Sequence, residues 1–298
     1  MLKKNTTLQS LCLLLLAMIS VQSSASLAKS LFALFPVLSV SALRLFLGFS
    51  LLALFFKIWT VHVHKIRWKT IISYGAALAG MNALFYLALQ RLPLGITVSF
   101  EFVGPLSVAL FHAKTRFDFV WVILAIFGLV LMFPFQDLHR SLDFMGVALA
   151  LGAGACWAIY ILSGQKSSGI SGQHTVCLGM MIGSCILMPI ALATGMPNQV
   201  LSIPYLFYFL LLAILASALP FSLEMVALRH LSPLSFGTLM SLEPVLAAFS
   251  GIIFLSEHLL WTQWLALVMI MIASLGCTYT THQAKQRIER QLQENQTS

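Results

Sequence analysis

The chain has 298 residues, of which 59% are hydrophobic and only 9% charged, with a formal net charge of +8. Soluble domains carry roughly 25% charged residues, and no soluble core of this length hides so much apolar surface; a hydrocarbon surround lets outward faces stay apolar. The basic excess does not describe a nucleic-acid face either, because Lys and Arg fall in short segments between apolar runs, without aromatic interleaving.

A helix needs about 20 mostly apolar residues to cross a bilayer. The first candidate, 8–28, follows Lys3 and Lys4 and runs into a small-residue stretch, the pattern of a cleaved secretory signal. It is long enough to span and more spans follow, so it reads as a retained first helix. The others are 36–56, 70–89, 94–112, 118–135, 143–163, 175–194, 204–228, 233–254 and 259–280, ten in all. Short connections such as Arg91-Leu92-Pro93 and Met196-Pro197-Asn198 hold most of the Pro and charged residues. The polar tail after Thr281 reads as a short cytoplasmic helix or unstructured chain. Five cysteines (Cys12, Cys156, Cys177, Cys185 and Cys277) lie inside apolar runs without metal-ligand spacing and read as small hydrophobes.

Placing both termini in the cytoplasm puts Lys3, Lys4, Lys57, Lys65, Arg67, Lys69, Lys114, Arg116, Lys166, Arg229, Lys285, Arg287 and Arg290 on that side. Only Lys29, Arg91 and Arg140 remain opposite, with Arg44 inside the second span. This positive-inside bias supports an even number of spans. Residues 79–109 also overlay 218–248 without a gap at a shift of 139, pairing Ala79 with Ala218, Pro105 with Pro244 and Ala109 with Ala248. Two halves of five spans, 1–138 and 139–281, would then enter the membrane from opposite sides, followed by a polar tail at 282–298. The fold expected is all-α and integral to the membrane, with ten transmembrane helices as two inverted five-helix repeats, an architecture that builds a carrier site at the repeat interface.

Ionisable groups in hydrocarbon cost several kcal/mol on insertion scales, which makes each a functional candidate. Arg44 lies in the second span, and Glu101 and Glu243 lie near the bilayer centre, close to Pro105 and Pro244. A proline frees a carbonyl inside a helix, which is tolerable where the segment lines a cavity. On the functional reading Glu101 and Glu243 face a central cavity, binding a substrate ammonium or exchanging protons, while Arg44 holds a carboxylate. On the structural reading the same groups pair only to lock helices together, and Glu224, nearer the cytoplasmic surface, fits that reading better. Asn82 and Tyr86, four apart on one helix face, reach either a cavity or a neighbouring helix. Gln22, Ser23, Ser24 and Ser26 line one end of the first span and Lys29 ends it. The Gly and Ala runs from Gly75 to Gly80 and Gly146 to Ala155 indicate close helix packing. Trp121, Trp261 and Trp264, near span ends, read as interfacial anchors. His62 and His64 read as solvated.

Several stretches resemble the EamA family of the drug/metabolite transporter superfamily: ASLAKSLF (25–32), GMNALFYLALQ (80–90), PLGITVSFEFVGPLSVALF (93–111), ALALGAGACWAIYILSGQK (148–166) and FGTLMSLEPVLAAFSGIIFLSE (236–257). The resemblance covers residues 18 to 278 or so and implies two inverted five-helix repeats around a cavity. It implies export of small amino acids, threonine and homoserine among them, in exchange for protons across a bacterial inner membrane. Carried onto this sequence, it suggests Lys29, Asn82, Tyr86, Glu101, Ser241 and Glu243 as cavity residues, with Arg44 following the family's arginine in the second helix. The expected partners are therefore an amino-acid substrate, protons and the lipid bilayer, with no nucleic acid and no cofactor. The alternative within the class is an exporter of drug cations or other metabolites, which would use both glutamates and tolerate loss of Arg44. No HExxH, GxSxG or nucleotide-binding glycine loop favours an enzyme, and a non-conducting structural subunit would keep its glutamates dry and paired.

Overall fold

The computed structural model describes residues 2–61, 64, 66–111, 118–132, 143–166, 170–220, 222–223, 240 and 242–297. Among these the chain is helical and contains no strand. In order, the helices are α1 (Leu2–Leu31), α2 (Val37–Phe55), α3 (Trp68–Leu89), α4 (Leu94–Glu101), α5 (Val103–Phe111), α6 (Asp118–Leu131), α7 (Phe144–Lys166), α8 (Gly172–Ala193), α9 (Ile203–Ala213), α10 (Glu243–Leu255) and α11 (Trp261–Thr297). Segments Gln9–Leu31, Val37–Phe55, Trp68–Leu89, Phe144–Lys166 and Gly172–Ala193 are long and apolar enough to cross a membrane by length and composition. Shorter apolar helices cover Leu94–Val108, Ile203–Ala218, Glu243–Leu255 and Trp261–Gly276.

The packing is inverted relative to a soluble protein. Large apolar side chains such as Ile123 and Phe127 on α6, Phe207 on α9 and Ile253 on α10 stand exposed, while Ser39, Ser41, Asn82, Ser99, Glu101 and Glu243 are buried. Water would penalise both halves of that arrangement; a bilayer reverses the sign of the first and requires the second.

Hydrogen bonds sort the helix ends into two sets. At one end, Lys29 at the close of α1 touches Leu92 between α3 and α4 and Glu257 between α10 and α11. Arg91 touches Asp143 there, just ahead of α7, and Gln263 on α11 donates to Met132 beyond α6. Toward the opposite end, His174 near the start of α8 meets Phe56 after α2, and Ser73 of α3 meets Ser163 of α7. Apart from α4 and α5, which continue one another across Phe102, the helices placed by these contacts alternate in direction. Left-handed residues close two of the connections, Lys57 (φ 50°) after α2 and Ser256 (φ 53°) after α10.

The helices depart from the sequence expectation in three places. The span expected at 94–112 divides into α4 and α5 at Phe102 (ψ −14°), three residues before Pro105, whose missing N–H leaves the Glu101 carbonyl without its helical donor. The span expected at 204–228 widens after Ala213 into a π-helical turn over Ile214–Ala218. The last helix continues through the polar tail to Thr297, so the tail extends a helix instead of starting one.

Asp143 caps α7, with its Oδ1 accepting from the N–H groups of Met145 (2.9 Å) and Gly146 (3.2 Å) and its Oδ2 from Arg91 (2.7 Å). The Arg91 hydrogen bond, helped by the backbone donors, holds this carboxyl below its ordinary value. A depressed carboxyl stabilises the fold above the unfolded pKa and loses that contribution as pH falls through the folded one. Asp143→Asn should therefore lower the unfolding midpoint of solubilised protein slightly at neutral pH, and the two midpoints should converge in acid; a gap that widens toward acid would contradict this.

Candidate functional site

The cavity in the bundle encloses about 120 Å³ and is lined by side chains from α1, α2, α3, α4, α7 and α10. One water needs roughly 10–15 Å³ on this measure, so the space suits several waters or one small metabolite. Arg44, Asn82, Tyr86, Glu101 and Glu243 all line it. The structure thus brings together five of the seven residues singled out in the sequence. Ser241 and Glu224 lie outside the described residues.

Arg44 is held from three sides. Its Nη1 donates to Asn82 Oδ1 (2.6 Å) and Tyr86 OH (3.2 Å), and its guanidinium carbon sits 5.5 Å from the Tyr86 ring centre. Asn82 is itself oriented, because its Nδ2 donates to the Leu78 carbonyl at 2.8 Å, which turns the amide oxygen toward the cation. The helical spacing of four explains how Asn82 and Tyr86 reach one guanidinium. The third contact comes from the π turn: Arg44 Nη2 lies 3.4 Å from the Ala216 carbonyl, and Ser20 Oγ on α1 donates to the Leu215 carbonyl at 2.7 Å. A π turn releases carbonyls from the i→i−4 ladder, and here two of them serve side chains of other helices. Arg44 Nε has no hydrogen-bond partner among the described residues, so the fork keeps a donor unspent.

The two carboxyl groups occupy related breaks. Glu101 ends α4 and Glu243 begins α10, with Leu242 (ψ −10°) as the turn before it and Pro244 in its first turn. A shift of 139 carries Pro105 onto Pro244 and places the Phe102 break beside the Leu242 turn. Both side chains are 7% exposed and interact electrostatically with each other and, for Glu101, with Arg44. Discontinuous helices whose ends meet at a buried cavity are a recurrent way to expose backbone and charge inside a membrane.

Lys29 lies elsewhere. Its Nζ contacts Glu257 Oε1 at 2.6 Å and the Leu92 carbonyl at 2.8 Å, while Glu257 Oε2 accepts from the Leu94 N–H that opens α4. This cluster ties the ends of α1, α4 and α10 together, and Lys29 is absent from the cavity lining. Sequence reading missed Glu257, which falls in a connection and carries no intramembrane signal. It also missed Trp157, which lines the cavity; the clue was a Trp mid-span in a small-residue run, where an interfacial anchor has no place.

Buried charge around a cavity, broken helices and an apolar exterior define a multi-pass membrane protein built to hold a polar solute. Residues 144–279 match the EamA-like transporter family. The chain is 51% identical over 269 residues to the threonine/homoserine exporter RhtA of Escherichia coli (strain K12), covering 90% of each chain. It is 49% identical over 273 residues to the same-named exporter of Salmonella typhimurium (strain LT2), covering 92% of each. An uncharacterized transporter of Bacillus subtilis (strain 168), YwfM, is 25% identical over 250 residues, 80% of this chain and 83% of that one. A solved crystal structure with 16% identity superposes with a TM-score of 0.64 over 94% of this chain and 99% of its own, a likeness of fold alone. The chain belongs to the EamA-like transporter family, and it is a transporter, not an enzyme.

Proposed function

We propose that this protein exports small hydroxylated amino acids such as threonine and homoserine across a bacterial inner membrane, in exchange for protons, by alternating access. The observation that carries the reading is one cavity lined by both an anchored guanidinium, Arg44, and two carboxyl groups, Glu101 and Glu243. A zwitterion needs that pairing. Its carboxylate meets the planar fork of Arg44 through the unspent Nε–H, and its ammonium meets a carboxylate. Protons and the ammonium compete for the same carboxyl oxygens, so loading one releases the other, which is the chemical content of antiport.

The proposed frame is ten crossings in two inverted halves, 1–138 and 139–281, with both termini cytoplasmic. The alternating helix ends, the matched breaks at Phe102 and Leu242 and the Lys and Arg distribution support it. In that frame the Lys29–Glu257 pair lies at the periplasmic end, where it fastens α1 of one half to the α10–α11 connection of the other. Opening toward the periplasm would part it.

The test is counterflow in proteoliposomes with a panel of labelled amino acids at two internal pH values. Threonine and homoserine should exchange fastest, and collapsing an imposed pH gradient should slow net movement. Absence of exchange for every amino acid in the panel, with exchange of organic cations instead, would replace the proposal by cation efflux.

A further inference from the structure

Within the cavity most polar groups are already engaged. Arg44, Asn82 and Tyr86 bind one another, and Ser24 Oγ donates to the Val21 carbonyl at 2.5 Å. The Gln22 side chain, like Arg44 Nε, is not engaged. It lines the cavity, the residue is only 4% exposed, and its amide makes no hydrogen bond with any described residue. An amide that faces a cavity without a protein partner is satisfied there by water or by a ligand.

The backbone around Gln22 is pinned. Its carbonyl accepts from Ser250 Oγ on α10 at 2.9 Å, and Ser250 also meets Ser26 at 2.8 Å one turn further along α1. The amide is therefore presented to the cavity from a fixed point. Across the space stand Arg44, which suits a carboxylate, and Glu101 and Glu243, which suit an ammonium. Gln22 is neutral and carries both a donor and an acceptor, the complement of a hydroxyl.

We infer that Gln22 reads the side-chain hydroxyl of the substrate and so selects hydroxylated amino acids over their alkyl counterparts. The inference rests on the zwitterion reading above and adds its specificity element. Carboxylate, ammonium and hydroxyl then have separate sites on α2, on α4 and α10, and on α1. A site built to hydrogen-bond a hydroxyl discriminates strongly against an analogue lacking it, since the amide is then left unpaired.

Threonine and homoserine become the same molecule, 2-aminobutyrate, when their hydroxyl is replaced by hydrogen, so one competitor tests both. Half-inhibition of labelled-homoserine counterflow by threonine, homoserine and 2-aminobutyrate is measured for the wild type, Gln22→Leu and Gln22→Met. The wild type should require about tenfold more 2-aminobutyrate than threonine, a factor within the range of one net hydrogen bond. Both variants should narrow that ratio to about twofold, chiefly by weaker threonine binding, while exchange keeps its dependence on internal pH. Gln22→Met, close in length to glutamine, supplies the result if Gln22→Leu fails to insert. A full wild-type preference retained in either inserted variant overturns the inference and leaves the amino-acid reading standing. A wild type that exchanges no amino acid overturns both.

Discussion

Glu101→Gln and Glu243→Gln should each cut proton-gradient-driven export by roughly tenfold to a hundredfold, the factor expected when a hydrogen bond to a charged group is lost. Both substitutions keep shape and leave the amide able to hydrogen-bond, so insertion and monodispersity in detergent should be unchanged. The two positions should fail differently. Glu101 ends a helix in the first half and Glu243 starts one in the second, so only one need contact the ammonium directly. The variant that loses ammonium binding should show a raised half-saturation concentration in counterflow. The variant that loses only the proton path should keep counterflow, which requires no net protonation, yet no longer respond to the gradient. Undiminished gradient-driven flux in both variants would remove these carboxyls from the mechanism and return them to a structural role.

The spans were legible because hydrophobicity over about 20 residues is a strong signal, and α2, α3, α7 and α8 fall within three residues of the expected limits. Arg44, Glu101 and Glu243 were legible for the opposite reason, since a charge in an apolar run is costly and conspicuous. The breaks were only half visible. Pro105 and Pro244 announced freed carbonyls, but a proline does not say whether a helix kinks or restarts, and nothing in ILASA announces the π turn at Ile214–Ala218. That turn depends on Arg44 and Ser20 reaching over from α2 and α1 to take up its carbonyls, a tertiary cause that no local pattern records. The environment of Lys29 was hidden for a related reason. The family resemblance offered it as a cavity residue, and its partner Glu257 lies 228 positions away, in a connection where a charge attracts no notice. Gln22 was visible as a polar residue in the first span, but only the geometry separates it from Ser24, whose hydroxyl is spent on its own helix.

Gly104→Ala should be the most damaging glycine-to-alanine change among the described residues. A Cβ at Gly104 would be driven onto the backbone carbonyl of Gly154, and one at Gly154 would stand 2.5 Å from the Glu101 carbonyl oxygen. No flexible side chain can yield at either place, so α5 and α7 must move apart. Overpacking of this kind costs typically 1–3 kcal/mol, occasionally more. The damage would not stop at stability, because α4 and α7 carry Glu101 and Trp157 and both line the cavity. Separation by the width of a methyl group displaces those side chains together from Arg44. Gly104→Ala and Gly154→Ala should thus lower the thermal midpoint in detergent by several degrees and cut transport in the protein that still folds. Gly172→Ala, where an added methyl meets nothing within 4 Å, should leave both unchanged. If all three variants melted with the wild type, the close crossing of α5 and α7 would be absent, and with it the surface that holds the freed Glu101 carbonyl against a glycine instead of water.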